Sequence, residues 1–431
     1  MKSHTLQSVL DVIRDEDVEF VRLQFTDTFG TLKNIAVTSD QIPRIFERPF
    51  PIEGSSFQKD GMGEEERLYL IPDLSSFAIL PWRPQTGRVA RLLCDLYMAD
   101  RTPCRESVRY LLKKVSDEAA EKGYTFYVKP ECEFFLFHTD DNGVATTLTH
   151  EKAGYLDLSP VDLAENVRRD IVLALEEMGF PVESSHHERS AGQQEIDCGY
   201  LPASQAADQI MTLKMTVRSI AKRHGLHATF MPKPKNGCDG SGMHIQMKLM
   251  KDGENIFVEK DAPDKLSRDG MAFINGILKH SAGMAVFTNP IVNSYKRLSP
   301  GWGAGAKLSW PPKDSESVIR TWVGYGGVRK VELCSPDCAA NPYLIFALLL
   351  SAGLEGMEEG RTYREQDSPK TEGRLPANLG QAIEAFAKDP FAVKILGEPL
   401  TEKYLKQKMQ EWDTYEKLVT PWEVEEYLHR I

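Results

Sequence analysis

Leu6, Val9, Leu10 and Ile13 recur at helical spacing within residues 1–18, which predicts an amphipathic helix. From Val18 to Val37 the pattern becomes extended, and its Thr-Asp-Thr-Phe-Gly centre is turn chemistry, so a two-stranded hairpin is expected. The stretch from Phe50 to Met62 (FPIEGSSFQKDGM) is rich in Gly and Ser and reads as a loop. Strand patterns return in ERLYLIPD, SFAILPW and GRVARLLCDLY. Helices are then expected over SVRYLLKKVSDEAAEKG, ended by Gly123, and over DLAENVRRDIVLALEEMG, capped by Asp162 and stopped by Gly179. Further helices are expected from about Ser204 to His224, over SRDGMAFINGILKHSAGMAVF, over ANPYLIFALLLSAGLEGMEEG and from Leu379 to the end.

Three other runs read as strands and carry the chemistry. FYVKPECEFFLF is aromatic and β-branched, and alternate residues share a face, so Glu131 and Glu133 point the same way. GMHIQMKLM puts His244 and Gln246 on one face. RKVELC puts Lys330, Glu332 and Cys334 on one face, with Val331 and Leu333 on the other. A fourth segment, HHERSAGQQEID, adds Glu188 and Glu195. Five carboxylates and one imidazole suffice for two hard divalent cations of the Mg²⁺ or Mn²⁺ kind. Close like charges repel unless a cation or proton intervenes. Paired cations between carboxylates suit phosphoryl transfer. His186 and His187 precede Glu188; one can support the site by hydrogen bonding, or both are positioned loop histidines.

Composition narrows the class. A chain of 431 residues exceeds one ordinary core, and a boundary is expected near Ala99–Pro103, giving domains 1–102 and 103–431. The net charge of −11 argues against nucleic-acid binding, which needs a basic face. The apolar run LIFALLLSAG is too short to span a membrane, and the N-terminus has no apolar signal core. Seven cysteines without a CxxC pair fit a reduced, cytoplasmic protein.

In combination, PECEFFLF, HHERSAGQQE, ATFMPKP followed by DGSGMH, NPIVNSYKRL and VELCSPDCAANPYL resemble the glutamine synthetase family in its bacterial long-subunit form, from about Val21 to the C-terminus. The resemblance implies an α+β fold: a small N-terminal β-grasp-like domain and a large C-terminal catalytic domain with an antiparallel barrel-like sheet backed by helices. It implies a homododecamer of two stacked hexamers, with each active site between subunits. It also implies ATP-dependent conversion of a glutamate-like acid to an acyl phosphate, from which ammonia or an amine displaces phosphate. Glu133, Glu188 and Glu195 would hold one metal; Glu131, His244 and Glu332 would hold the other, near the ATP phosphates. Arg297 would grip the substrate α-carboxylate. Gln246, Arg320 and Lys330 would lie on the nucleotide side.

The substrate end departs from the family pattern. Gly303 stands where a flap glutamate shields the acyl phosphate and helps take a proton from ammonium. Asp239, beside Gly240, replaces an asparagine that contacts glutamate, and Cys334 replaces an arginine that partners its carboxylate. Lys313 replaces a phosphate-contacting arginine, keeping charge without the planar fork, and Ser315 replaces another. Glu53 stands where an aspartate helps bind ammonium. Losing a charge-assisted pair at a carboxylate costs roughly 1.5–3 kcal/mol. Two readings follow. One is a ligase, making either glutamine or a γ-glutamyl amide of an organic amine. The other is a non-catalytic family member that binds metal and nucleotide in a regulatory or structural role.

Overall fold

The computed structural model describes residues 5–54, 67–149, 151–259, 261–299, 304–309, 316–324, 329–360 and 373–431. The expected N-terminal helix is α1 (Leu6–Asp15), begun by a capping box at Thr5 and burying Val9 and Ile13. The hairpin follows as β1 (Val18–Thr26) and β2 (Leu32–Thr38), paired antiparallel. Its turn is fixed by Asp27, whose side chain accepts from Phe29 N and Thr31 N. After α2 (Ile42–Glu47) come β3 (Phe50–Glu53), β4 (Arg67–Ile79) and β5 (Arg88–Tyr97).

The sheet order is β2-β1-β5-β4-β3, with β1 and β5 parallel at its centre. This is a β-grasp arrangement. Two expectations need correction here. Phe50–Glu53 is an edge strand rather than loop, because it finds a partner in Arg67–Leu70; residues 55–62 lie outside those described. ERLYLIPD and SFAILPW form the single strand β4, which absorbs its Asp73–Ala78 irregularity through Asp73 bonds to Ser75 and a Ser76 hydroxyl that accepts from Leu93 N.

The large domain runs α3 (Val108–Glu121), β6 (Tyr124–His138), α4 (Glu165–Glu177), β7 (Val182–His187), β8 (Gln193–Cys198), β9 (Leu201–Pro202), α5 (Ala203–Arg223), β10 (Leu226–Thr229) and β11 (Met243–Lys251). The short β12 (Glu254–Asn255), β13 (Val258–Glu259) and β14 (Ala262–Leu266) lead to α6 (Arg268–Thr288) and α7 (Val292–Arg297). Then come β15 (Lys307–Leu308), β16 (Ile319–Val323), β17 (Arg329–Leu333), α8 (Pro342–Glu358) and β18 (Gly373–Arg374). The C-terminal segment is helical as expected: α9 (Leu379–Ala387), α10 (Phe391–Leu396), α11 (Glu398–Glu416) and α12 (Pro421–Tyr427).

The main sheet has the order β16-β17-β11-β6-β8-β7, all antiparallel, with β10 extending the β11 side of β6. One face of this sheet (Cys132, Phe134, Ile196, Met243, Ile245, Met247, Val331 and Leu333) packs into the core built with α3, α5, α6 and α8. The opposite face carries the polar row. Asp162 does not cap α4, whose N-cap is Ala164. Its oxygens instead take Ala164 N and the Arg168 guanidinium.

A buried ion cluster joins the two domains. Arg109 of α3 donates to Asp208 at 2.9 and 2.8 Å, to Asp73 at 2.7 Å and to Asp95 at 3.2 Å. Tyr343 adds a bond to Asp208 at 2.7 Å. Desolvation makes such a cluster a device for fixing one docking geometry more than a source of net stability. Asn341 donates to the carbonyls of Asp27 and Thr28, so the first hairpin turn is also seated on the large domain.

Candidate active site

Strand register explains why distant segments meet. Residues opposite each other across an antiparallel ladder share a face, as do residues two apart along a strand. His244 lies opposite Glu131, and Gln246 opposite Glu332. Glu131 lies opposite Asp197, Glu133 opposite Glu195, and Glu195 opposite His186. Arg320 lies opposite Glu332. Pairing therefore sets Arg320, Glu332, Gln246, His244, Glu131, Glu133, Asp197, Glu195 and His186 on one face.

That face opens into a cavity of about 400 Å³. Its lining includes Glu131, Glu133, Glu188, Glu195, Asp197, Asp239, Gly240, His244, Arg297 and Arg320, with Tyr155, His186 and Arg189 at one side. His244 Nδ1 sits 2.8 Å from Glu332 and 4.0 Å from Glu131, while Nε2 is 4.0 Å from Glu133. Glu133 accepts from Gln193 Nε2 at 3.0 Å and from Gly242 N at 2.9 Å. Gln246 donates to Glu131 and accepts from Tyr200. Glu188, in the turn after β7, accepts from Arg189 N at 3.0 Å and lies 3.1 Å from His186 Nε2.

Arg297 is 3% exposed, and its guanidinium donates to the carbonyls of Cys334, Ser335 and Pro336 at 3.1, 2.8 and 3.2 Å. The Gly-Ser-Gly run makes room for it. A Cβ on Gly242 would lie 2.4 Å from Arg297 Nη2, and one on Gly240 would lie 2.3 Å from Pro232 O.

The electrostatics favour a bound cation. Burial, with the charges of Glu332 and Asp197, pushes the Glu131 pKa up to about 7 against the pull of His244 and Lys129. Burial raises Glu195 well above the usual range, helped by Glu133, Asp197 and Glu188. At Glu188 burial works upward, but bonds from His186 and Arg189 N win and the pKa falls. At His244 burial works downward, but the bond to Glu332 and the charges of Glu332 and Glu133 raise the pKa. Several ligand sets have atoms within 4.8 Å of one another: His244 with Glu332 and Cys334, His186 with Glu188 and Glu195, and Glu131 with Glu195 and Asp197. Asp197 also holds one buried oxygen without a hydrogen-bond partner. Hard oxygen donors plus one imidazole fit Mg²⁺ or Mn²⁺.

A pH dependence follows. Glu131 must lose its proton to hold a cation, so Mn²⁺ affinity should rise as pH rises through about 7. Calorimetric titration between about pH 6 and 8 checks this, with up to one proton released per ion as the signature. A pH-independent affinity would count against the expectation that Glu131 is a ligand.

The six expected metal-ligand residues fall together: five line the cavity, and Glu332, 2% exposed, backs His244. Asp239, Gly240, Arg297 and Arg320 line it too. Gln246 lies beneath Glu131. Cys334 is fully buried beside Gly305, Lys330 lies over the Trp322 ring at 5.9 Å, and Glu53 is exposed on β3; none of these three is among the described lining residues. Lys313, Gly303 and Ser315 lie outside the described residues. Sequence reasoning missed Asp197, Tyr155, Arg189 and Gln193. Asp197 was discoverable, because it follows Glu195 by two in QQEIDC, the same alternation that pairs Glu131 with Glu133. Tyr155 and Arg189 are set by loop packing and give no pattern.

Known proteins share both domains. The glutamine synthetase β-grasp domain matches residues 17–99, and the glutamine synthetase catalytic domain matches residues 105–427. A glutamine synthetase from Clostridium saccharobutylicum is 47% identical over 100% of both chains. One from Methanosarcina mazei is 44% identical over 99% of this chain and 98% of its own. A solved GmaS–ADP complex is 30% identical, with a TM-score of 0.86 over 97% of this chain and 99% of that one. The Plasmodium falciparum glutamine synthetase, at 23% identity, shares the fold with a TM-score of 0.88 over 99% of each chain. With both domain models matched in order and relatives alike from end to end, this chain belongs to the glutamine synthetase family and is a carboxylate–amine ligase of that type.

Proposed function

We propose that this ligase joins a glutamate-like acid to an organic amine in preference to ammonium. The ligase chemistry rests on the one-faced row of carboxylates and His244 around a single cavity. Glu133, Glu188 and Glu195 would hold one divalent ion, and Glu131, His244 and Glu332 the other. Bound there, the ions supply charge neutralisation for the ATP phosphates. Arg297, held rigidly by three carbonyls, is ready to orient the acid. Arg320 faces the same cavity and is suited to phosphate oxygens. The acid's side-chain carboxylate attacks the terminal phosphorus of ATP, releasing ADP. The amine nitrogen then attacks the acyl carbon, phosphate leaves, and a proton leaves the new amide.

The amine preference rests on Asp239 in the cavity lining and on the departures from the family pattern at Cys334 and Gly303. Asp239 adds negative charge at the cavity wall, and Cys334 offers none of the positive charge of an arginine. Glycine at 303 brings no side chain and no proton acceptor where the family pattern has a glutamate, and loss of a general base typically costs 10²–10⁴ in rate. Phosphate release with glutamate, ATP and Mg²⁺, offered with ammonium or with a panel of mono- and polyamines, decides the point. Organic amines should exceed ammonium by at least about tenfold in kcat/KM, a margin of ~1.4 kcal/mol. Equal or faster turnover with ammonium would make the product glutamine.

Glu53, Lys313 and Lys330 belong to this proposal as groups completing the site, with Glu53 serving a neighbouring subunit in a dodecamer of two stacked hexamers. The exposure of Glu53 on an edge strand supports that role, as do the exposed Trp422, Leu428 and Ile431 near the C-terminus. A mass near twelve copies of 48.6 kDa by light scattering would support the ring assembly. The seven free cysteines fit a reducing cytoplasm, and among the described residues no helix is long and apolar enough to cross a membrane.

A further inference from the structure

The two adjacent histidines before Glu188 face opposite ways. His186 turns into the cavity toward the Glu188 carboxylate. His187 turns inward and is 0% exposed. Its Nδ1 lies 2.6 Å from the backbone carbonyl of Glu188, and its Nε2 lies 2.8 Å from Glu151 Oε1. Both ring nitrogens therefore face acceptors, which fixes the ring rather than leaving it to swing.

Glu151 is 7% exposed and acts as the hub of three segments. Its Oε1 accepts from Gly192 N at 2.5 Å and lies 3.5 Å from Gln194 Nε2. Its Oε2 accepts from Leu163 N at 3.2 Å. Gln194 in turn accepts from Arg168, which also bonds Asp162 at 2.6 Å. The His187 carbonyl accepts from Leu156 N at 3.0 Å. One buried network thus ties the Glu188–Gly192 turn to the loop carrying Tyr155, whose ring meets His186 edge-on at 5.6 Å.

Glu151, Asp162 and His187 also have ligand atoms within 4.8 Å of one another. A cation there is disfavoured, because Arg168 occupies the Asp162 carboxylate and backbone N–H groups occupy Glu151. The carboxylate oxygens of Glu151 and Asp162 all accept from protein donors, while Arg168 Nε is left without a partner. The outlet of the network is the Glu188 backbone, one bond away from the side chain that reaches the cavity.

We propose that the Glu151–His187 couple is a positioning pair that presents Glu188 to a divalent cation and holds the Tyr155 loop against the site. This rests on the reading of Glu188 as a metal ligand. Partners behind a ligand typically affect metal affinity by 10–100-fold.

The test is Mn²⁺ binding to the full-length protein, read from the loss of the free-ion electron paramagnetic resonance signal at fixed pH. Glu151→Gln and His187→Gln should each weaken binding of one ion per chain by about ten- to hundredfold. The double variant should be no weaker than either single one, because the two residues act as a unit. His187→Asn places an amide nitrogen near the position of Nδ1, so it should recover part of the affinity. In turnover, the KM for Mn²⁺ should rise and excess Mn²⁺ should restore kcat, which a purely structural defect would not allow. Glu151→Gln preserves size and an acceptor, so it carries the test if the histidine variants fail to fold. Unchanged Mn²⁺ affinity in folded variants, with Glu188→Gln still weakened, would overturn the positioning role alone. Unchanged affinity in Glu188→Gln as well would overturn the ligand assignment and the proposal with it.

Discussion

Glu332→Ala is expected to abolish metal-dependent ADP release. Glu332 is 2% exposed and holds His244 Nδ1 at 2.8 Å. Removing it takes one carboxylate from the proposed cation set and leaves the half-buried His244 imidazole without its nearest partner. Cation stabilisation of phosphoryl-transfer charge is worth several kcal/mol, so a fall in kcat on the order of 10²–10³ or more should follow. Glu133→Ala should behave alike, because Glu133 faces His244 from β6 and is held by Gln193 and Gly242. Steady-state ADP release over a range of Mn²⁺ concentrations measures the effect. Wild-type rates in either variant would sink the assignment of this face as the reacting centre.

Gly242→Ala should damage the acid site while leaving the cation set largely in place. The new Cβ would lie 2.4 Å from Arg297 Nη2 and 3.0 Å from Cζ. A flexible side chain could step aside, but this guanidinium is anchored on three carbonyls. Displacing it breaks charge-assisted bonds worth roughly 1.5–3 kcal/mol. A loss of about tenfold to hundredfold in kcat/KM for the acid is therefore expected. Mn²⁺ affinity should change far less, since the new Cβ comes no nearer to the proposed ligands than His244 Cδ2 at 3.3 Å and the backbone bond from Gly242 N to Glu133 does not involve the side-chain position. An unchanged KM for the acid would mean that Arg297 does not orient it.

The parts legible in the sequence were those where pattern and burial agree. β6, β11 and β17 alternate chemistry across a sheet with one core face, so the polar face of each strand was legible from its own pattern, while the resemblance to the family is what brought Glu131, Glu133, His244 and Glu332 into one set. The β7–β8 hairpin was not legible, because HHERSAGQQEIDC is polar on the face that pattern reading expects to be apolar. Asp197 was lost with it. Asp162 looked like a helix cap because it precedes an apolar run, yet tertiary demand from Arg168 recruited its carboxylate into the buried network. Phe50–Glu53 looked like loop because it opens the Gly- and Ser-rich stretch that runs to Met62, while the strand that pairs with it begins only fourteen residues further on, at Arg67. The departures at Asp239 and Cys334 were visible only against the family pattern, since neither residue violates a local rule.

The most direct test of the account follows oxygen. Glutamate carrying ¹⁸O in its side-chain carboxylate is turned over with ATP, Mg²⁺ and the best amine. If the acid passes through an acyl phosphate, one labelled oxygen leaves with each phosphate released, and ADP, phosphate and γ-glutamyl amide appear in equal amounts. Unlabelled phosphate, or no metal-dependent phosphate while ATP and Mn²⁺ still bind, would contradict ligase chemistry at this site and favour the metal- and nucleotide-binding role without catalysis.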